Sequence, residues 1–388
     1  GGAGGFGGGG GAGGQPGAGT PTSAAGEGGD GGFGAGAGST VFADGSTKAG
    51  EGGSGFGGAI FVRSGGTLIL AGEMQFAGTT ARGGSSADAA GGASGDGVGS
   101  DLFMMRGSNV TLSPDAGGEI VFGGTIGDDS QASYEGAQFA EGDGASLTIN
   151  GEGKVRFDNY NTYTGATVLQ SGTLQAVDSV GVHSMSRVEF DGADSASLSE
   201  LSVPVFLSSG EFTRWVGSES DQVMWTGSGG FAATSAGLTV DLGRNVGGNQ
   251  ALVWNQAGFV PQGSSLVLGA LTAEGTVTLV NDISHNDTVA GEVQVYLVDN
   301  INSSADKSVL EGDITAGKLS FDANAGTAQV DVAGALTVRD LAVDGGTVDT
   351  TAGGTLADDA ALNIATGATF VAGTADTLGV VTNDGTYD

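Results

Sequence analysis

The stretch DNYNTYTGATVLQSGTLQA, Asp158 to Ala176, decides how the chain is read. It gathers turn formers and sets β-branched or aliphatic residues at alternate positions, with no histidine, cysteine or cluster of reactive groups. Such alternation has the period of a strand, because successive side chains point to opposite faces of a pleated backbone. Gly165 and Gly172 stand where short strands must bend, and glycine adopts positive φ without a Cβ penalty. Asn161 is expected to bond backbone groups at a bend, as Asn does in turns. Val168, Leu174 and Tyr163 are expected to fill an interior. Read this way, the stretch directs folding and carries no reaction centre.

Working outward, the same manner continues on both sides. TLILAGEMQFAG (residues 67–78), VTLSPDAGGEIVFGG (110–124) and LTINGEGKVRFDN (147–159) share one element: an apolar residue, any residue, Phe, any residue, then Gly or Asn. SRVEFDG (186–192) keeps the end of it. Period two turns Met74 and Phe76, Ile120 and Phe122, Val155 and Phe157, and Val188 and Phe190 inward. Gln75, Arg156 and Glu189 then face water, and Val121 is the exception. Strands of three to six residues with single-Gly bends are too short for stable hairpins and suit three strands per turn. Unequal spacing of the repeat is what a solenoid with loops of different length shows. Gly interrupts every helical window. The fold class predicted is all-β, a right-handed parallel β-helix with long Gly-rich loops and coils ~4.8 Å apart.

Composition agrees. The 388 residues include 80 glycines but only 5 prolines and no Gly-X-Y period, which excludes collagen. The organisation expected is a Gly-rich low-complexity segment at 1–58, with GGFG at Gly4–Gly7 and Gly31–Gly34 and short strands between loops. A β-helix follows at 59–300, and further solenoid coils at 301–388. Forty-four acidic against 12 basic residues give a net charge of -32, spread along the chain. That field repels phosphate backbones and anionic headgroups, so nucleic acid is not expected as a partner. Without cysteine there is no disulfide and no thiolate metal site. No apolar run reaches the ~18 residues of a membrane helix.

Asn161-Thr162-Tyr163-Thr164-Gly165, followed by a Thr-rich strand and Gly172-Thr173-Leu174, resembles the passenger-associated transport repeat of bacterial autotransporters. The repeat here lies near residues 146–177. GGAIFVRSGGTLIL (57–70) and GSDLFMMRGSNVTLSP (99–114) are similar to coils that precede it in such passengers. The chain departs from the family at Gly153-Lys154-Val155, where Gly-Thr-Leu is usual. The resemblance implies a cell-surface or secreted structural or adhesive passenger of type V secretion, presenting loops on a rigid shaft without catalysis. It also implies an outer-membrane β-barrel beyond Asp388, an extracellular or bacterial-surface location, and a surface ligand that is a glycan or a protein.

Other chemistry was weighed residue by residue. His183 and His285 alone are suited to acid–base work near neutral pH, and a triad from His285, Asp287 and a serine lacks any nucleophile motif, so both are expected at the surface. Asp128-Asp129 and Asp358-Asp359 could serve a polysaccharide-active enzyme, but adjacent acids point to opposite faces and read as solvated turn acids. DGVGSDLFM (96–104) resembles a calcium-binding nonapeptide with Asp96 and Asp101 as ligands, yet it has no tandem copy. No catalytic residue, cofactor or metal is therefore expected, calcium being the alternative, as in a calcium-dependent matrix or fibre-forming protein. Trp215, Trp225 and Trp254 could stack sugars but are expected to pack inside or to anchor loops. The strands near the C-terminus carry few charges and no amphipathic cap, which predicts self-association into multimers or fibres.

Overall fold

The computed structural model describes residues 39–41, 47–48, 50–85, 93–134, 136–137, 139–243, 251–373 and 379–388. Gly4–Gly7 and Gly31–Gly34 lie outside them. Among the described residues the regular elements are one 3-10 turn, Ser195–Ser197, and strands of two to twelve residues, some of them longer than the three to six expected because they run around a bend. They wind as a parallel β-helix. The first coil is Ile60–Val62, Thr67–Ala71 and Met74–Phe76, and the second repeats it as Leu102–Met104, Asn109–Ser113 and Glu119–Phe122. Each strand pairs in parallel with its counterpart one coil on. Stacking in this way lets the next coil satisfy backbone N–H and C=O groups that a single coil leaves open.

Three rows result. In the first, Ile60, Leu102 and Ile126 stand in register, as do Val62, Met104 and Asp128. The second carries Leu70, Leu112, Ile149, Leu169, Phe190 and Trp225. The third runs Met74, Ile120, Val155, Leu174, Phe206, Phe231, Leu268 and Leu297. The inner side chains of these rows merge into one continuous core along the axis. Each buried aliphatic or aromatic side chain contributes roughly 1.5–3 kcal/mol, so a long column of them outweighs the glycine content of the bends.

The Phe predictions hold with two adjustments. Phe122, Phe157 and Phe190 are buried, whereas Phe76 is half-buried in the first coil, stacked on Phe122 at 4.8 Å. Phe76, Phe122 and Phe157 share one column, but Phe190 belongs to the second row and meets Trp225 and Phe231 at 5.0 and 5.3 Å. Val168 is a correction: it points outward, and Thr167 and Leu169 on either side of it are buried. The exception, Val121, is buried on the outer surface, in register between Gln75 and Arg156, whose aliphatic stem gives it cover.

Beside the first two coils the packing changes character. The connection from Phe76 to Leu102 returns along the run that precedes Ile60, so that 52–59, 83–84 and 93–100 lie together. Gly52, Gly55, Gly57, Gly58 and Ala59 donate their N–H groups to carbonyls at Ala93, Asp96, Val98, Gly99 and Ser100. Gly84 donates to Gly53 at 2.6 Å, and Gly95 to Gly84 at 2.9 Å. A Cβ on Gly83 would sit 1.9 Å from the Gly95 oxygen, and one on Gly95 would sit 2.2 Å from the Gly53 oxygen. Backbone rests on backbone here. Phe56 closes this layer against Phe103 at 4.6 Å and Tyr134 at 4.9 Å.

A second departure lies on the outside of the third row. Its outward positions read Glu119, Lys154, Thr173, Val205, Gly230, Val267, Tyr296 and Asp322 in register. The face is charged at both ends and apolar in the middle. Val203, Val205, Leu207, Ala232, Val267, Tyr296 and Val298 form a separate cluster outside the coil, with Leu198 and Leu271 laid over it. The chain from 194 to 203 thus acts as a strap across the shaft.

Candidate functional site: the corner at residues 158–187

The stretch that opened the reading forms the corner between the first and second rows. Asn161 is fully buried, and its side-chain amide bridges two coils. Oδ1 accepts the Ile126 N–H at 2.7 Å from one side, and Nδ2 donates to the Gly181 oxygen at 2.7 Å on the other. Its own N–H goes to Val180 at 2.9 Å. Burying these backbone groups without partners would cost about 1–3 kcal/mol each, which is why an amide, donor and acceptor at once, occupies the position. The device recurs. Asn281 clasps both the N–H and the oxygen of Leu242 at 2.8 Å, and Asn324 clasps Asp299 at 2.8 and 3.5 Å.

Tyr163 enters the core beside Phe157, ring centroids 6.5 Å apart and nearly perpendicular. Its hydroxyl pairs with Thr167 Oγ1 at 2.7 Å, which meets Ser186 Oγ at 2.8 Å, which in turn donates to the Gly165 oxygen at 2.6 Å. Burial pushes the phenol up to about 12, so it stays neutral and structural. Gly172 has φ +75° as expected. Gly165 corrects the stated reason for its presence. Its φ is not in the left-handed region; instead its α-carbon lies so close to Ala145 that a Cβ would fall 2.2 Å from the carbonyl carbon. Leu174 is buried in the third row.

Beneath this corner lie two carboxylates that reading the sequence had placed in solvent. Asp128 and Asp129 are both buried, and that expectation is corrected. Asp128 takes the inward position held by Val62 and Met104 in the coils before it. Oδ2 accepts Ala145 N–H at 3.0 Å and Thr164 N–H at 2.8 Å, while Oδ1 accepts Ser130 N–H at 3.0 Å and Ser133 Oγ at 3.1 Å. A carboxyl group so fully supplied with donors ties three segments together. Asp129 accepts Arg106 N–H at 2.9 Å. Burial is the main cause that raises its carboxyl above the ordinary range, opposed by the Arg106 bond and reinforced by Asp128. Tyr134 nearby is pushed up to about 12 by burial and by both acids.

Arg214 is the functional element that sequence reasoning missed. Its guanidinium meets Asp178 Oδ1 through Nη2 at 2.6 Å and Nε at 2.8 Å. It also donates to the oxygens of Ser186 at 2.5 Å and His183 at 3.0 Å. The signal was present: in FTRWV, period two sets Arg214 inward between Phe212 and Val216, all three buried.

The remaining candidates are not assembled into a reacting group. His285 Nδ1 accepts the Asp287 N–H at 2.9 Å, and the exposed Asp287 carboxylate caps Val289 and Ala290, which holds it below its ordinary range. His183 corrects the surface expectation: it is buried, its Nδ1 accepts Met185 N–H at 3.2 Å, and burial lowers its basicity. Asp358 and Asp359 are exposed turn residues, as read. Asp96 is exposed, whereas Asp101 is buried with its carboxylate on Gly124 N–H at 2.6 Å and on Thr79 Oγ1. Among the described residues no group of three or more His, Cys, Asp and Glu is placed to hold a metal ion. Trp225 and Trp254 are interior, while Trp215 lies outside the strands and is 41% exposed. No protein family, curated protein or solved structure matches the chain.

Proposed function

We propose that the chain is a non-catalytic, structural or adhesive passenger of the autotransporter kind, displayed on a bacterial surface or released from it. The single observation that carries this reading is the use made of Asn161, Tyr163, Gly165, Gly172 and Leu174. Every one of them stacks or spaces a coil, and the repeat they resemble belongs to shafts of that kind. Polar groups that could do chemistry beside them, Asp128 and Ser186, are occupied in the same task. What such a shaft offers a partner is its loops and outer faces, and the ligand class remains a surface glycan or protein. An outer-membrane β-barrel in the full-length chain is part of the proposal.

The test is accessibility on intact cells that express the gene from its own locus. Protease added outside should release fragments of residues 57–300 while a cytoplasmic marker stays whole. Recovery of the chain only after lysis would overturn the reading. A panel of polysaccharides incubated with the purified chain addresses catalysis: turnover abolished by Asp128→Asn would replace the passenger reading with that of an enzyme.

A further inference from the structure

Where the charged and apolar parts of the third row's outer face meet, the strap leaves a groove of about 290 Å³. One wall is apolar, made by Leu201, Val203 and Leu271. Thr173, Lys154, Glu119, Glu152 and Glu200 also line it. These charges are not equivalent. Glu119 is neutralised by Lys154 at 3.0 Å and Arg156 at 3.3 Å. Glu152 and Glu200 are exposed and form no ion pair among the described residues. The groove therefore keeps two uncompensated negative charges beside an apolar wall, in a molecule whose own net charge of -32 concentrates cations.

We infer that this groove is a docking site for a polypeptide segment of a partner in which a Lys or Arg neighbours a Leu-type side chain, because its apolar wall and its two unpaired carboxylates are complementary to that pair. The strap, a run of turns, already covers the adjoining outer surface with the apolar side chains of Leu198 and Val203. A partner segment would continue that cover beyond Leu201. Its apolar side chain rests on Leu201 and Leu271, and its cation lies between Glu152 and Glu200. An acidic or purely polar segment lacks one of the two contacts. The groove's chemistry does not depend on where the chain is displayed.

Fluorescence anisotropy of a labelled ten-residue peptide of alternating Lys and Leu, titrated with the full chain at 0.15 M salt, tests this. Peptides alternating Lys with Ser, and Glu with Leu, serve as comparisons. The Lys–Leu peptide should bind, the Lys–Ser peptide about tenfold more weakly, and the Glu–Leu peptide not detectably. Glu152→Lys with Glu200→Lys should weaken the Lys–Leu peptide by about tenfold, and Leu201→Asp by a similar factor. Reversing two remote exposed charges, Glu311→Lys with Asp358→Lys, should leave binding unchanged. The proposal is overturned by any of three results: no binding of the Lys–Leu peptide, equal binding by the groove variants, or equal loss in the remote variant. Unchanged circular dichroism melts separate a lost contact from a lost fold, and the exposure of Glu152 and Glu200 makes folded variants the expected outcome.

Discussion

The glycine layer of residues 52–59, 83–84 and 93–100 and the shaft behind it use the same backbone pairing but opposite ways of filling space. In the shaft, side chains meet: Phe231 alone touches Phe190, Phe212 and Trp225 at 5.3, 4.8 and 6.0 Å. In the layer, main chains meet, and a methyl group at Gly83 or Gly95 has nowhere to go. Apolar burial therefore holds one and backbone hydrogen bonds the other. Because net hydrogen-bond contributions are about 1 kcal/mol each and glycine loses much entropy on ordering, the layer should be the weaker part. Its order is borrowed from the coils it rests on.

Four substitutions break or sharpen this contrast. The largest effect belongs to Phe122→Asp, which buries a charge between Phe76 and Phe157. A loss of several kcal/mol is expected. Circular dichroism melting decides, and a variant as stable as the parent would show that side-chain packing does not hold the shaft. Next comes Asn161→Ala, which orphans the Ile126 N–H and the Gly181 oxygen at once. About 2–4 kcal/mol should be lost, read from urea unfolding. A cost below about 0.5 kcal/mol would mean that the clasp is ornamental.

Gly95→Ala strikes the layer itself. The local penalty is about 1–3 kcal/mol, and amide exchange should quicken across 52–59 and 93–100 while the main melting transition stays in place. If the whole molecule melts earlier, the layer and shaft form one cooperative unit. The smallest effect is that of Asp129→Asn. Burial raises the Asp129 carboxyl above its ordinary value of 3.8, so ionisation opposes folding. The stability tied to its proton is complete below that ordinary value and is lost as pH rises through the folded one. The variant should therefore gain most over the parent at pH 7 and least at pH 4, and a gain that grows on acidification contradicts this.

How far the molecule could be read beforehand follows from the same contrast. The apolar-x-Phe pattern revealed the strands, their inward faces and the parallel winding, because burial of side chains leaves a period in the letters. It did not say which of three rows a strand joins, so Phe190 was grouped with Phe122 although its neighbours are Leu169 and Trp225. Val168 faces out because polar Thr167 takes the inward position; a hydroxyl satisfied by Tyr163 and Ser186 is buried without difficulty. Asp128 was read as exposed because its donors at Ala145 and Thr164 come from other segments and leave no mark beside it. The glycine layer is hardest of all, since backbone packing writes only glycine, which a flexible linker also writes.

The asparagine clasps bear on the order of events in time. Asn161 has one partner, Ile126, in the coil before it and another, Gly181, in the coil after it. A growing helix that has placed Ile126 can seat Asn161 at once, and the seated amide then presents a ready donor to residues not yet arrived. Each coil is in this sense a template for its successor, and contacts are made with the neighbour rather than with the far end. Such a chain can assemble progressively from a single nucleus while the remainder is still extended, at a rate set by one coil's closure rather than by the length of the whole.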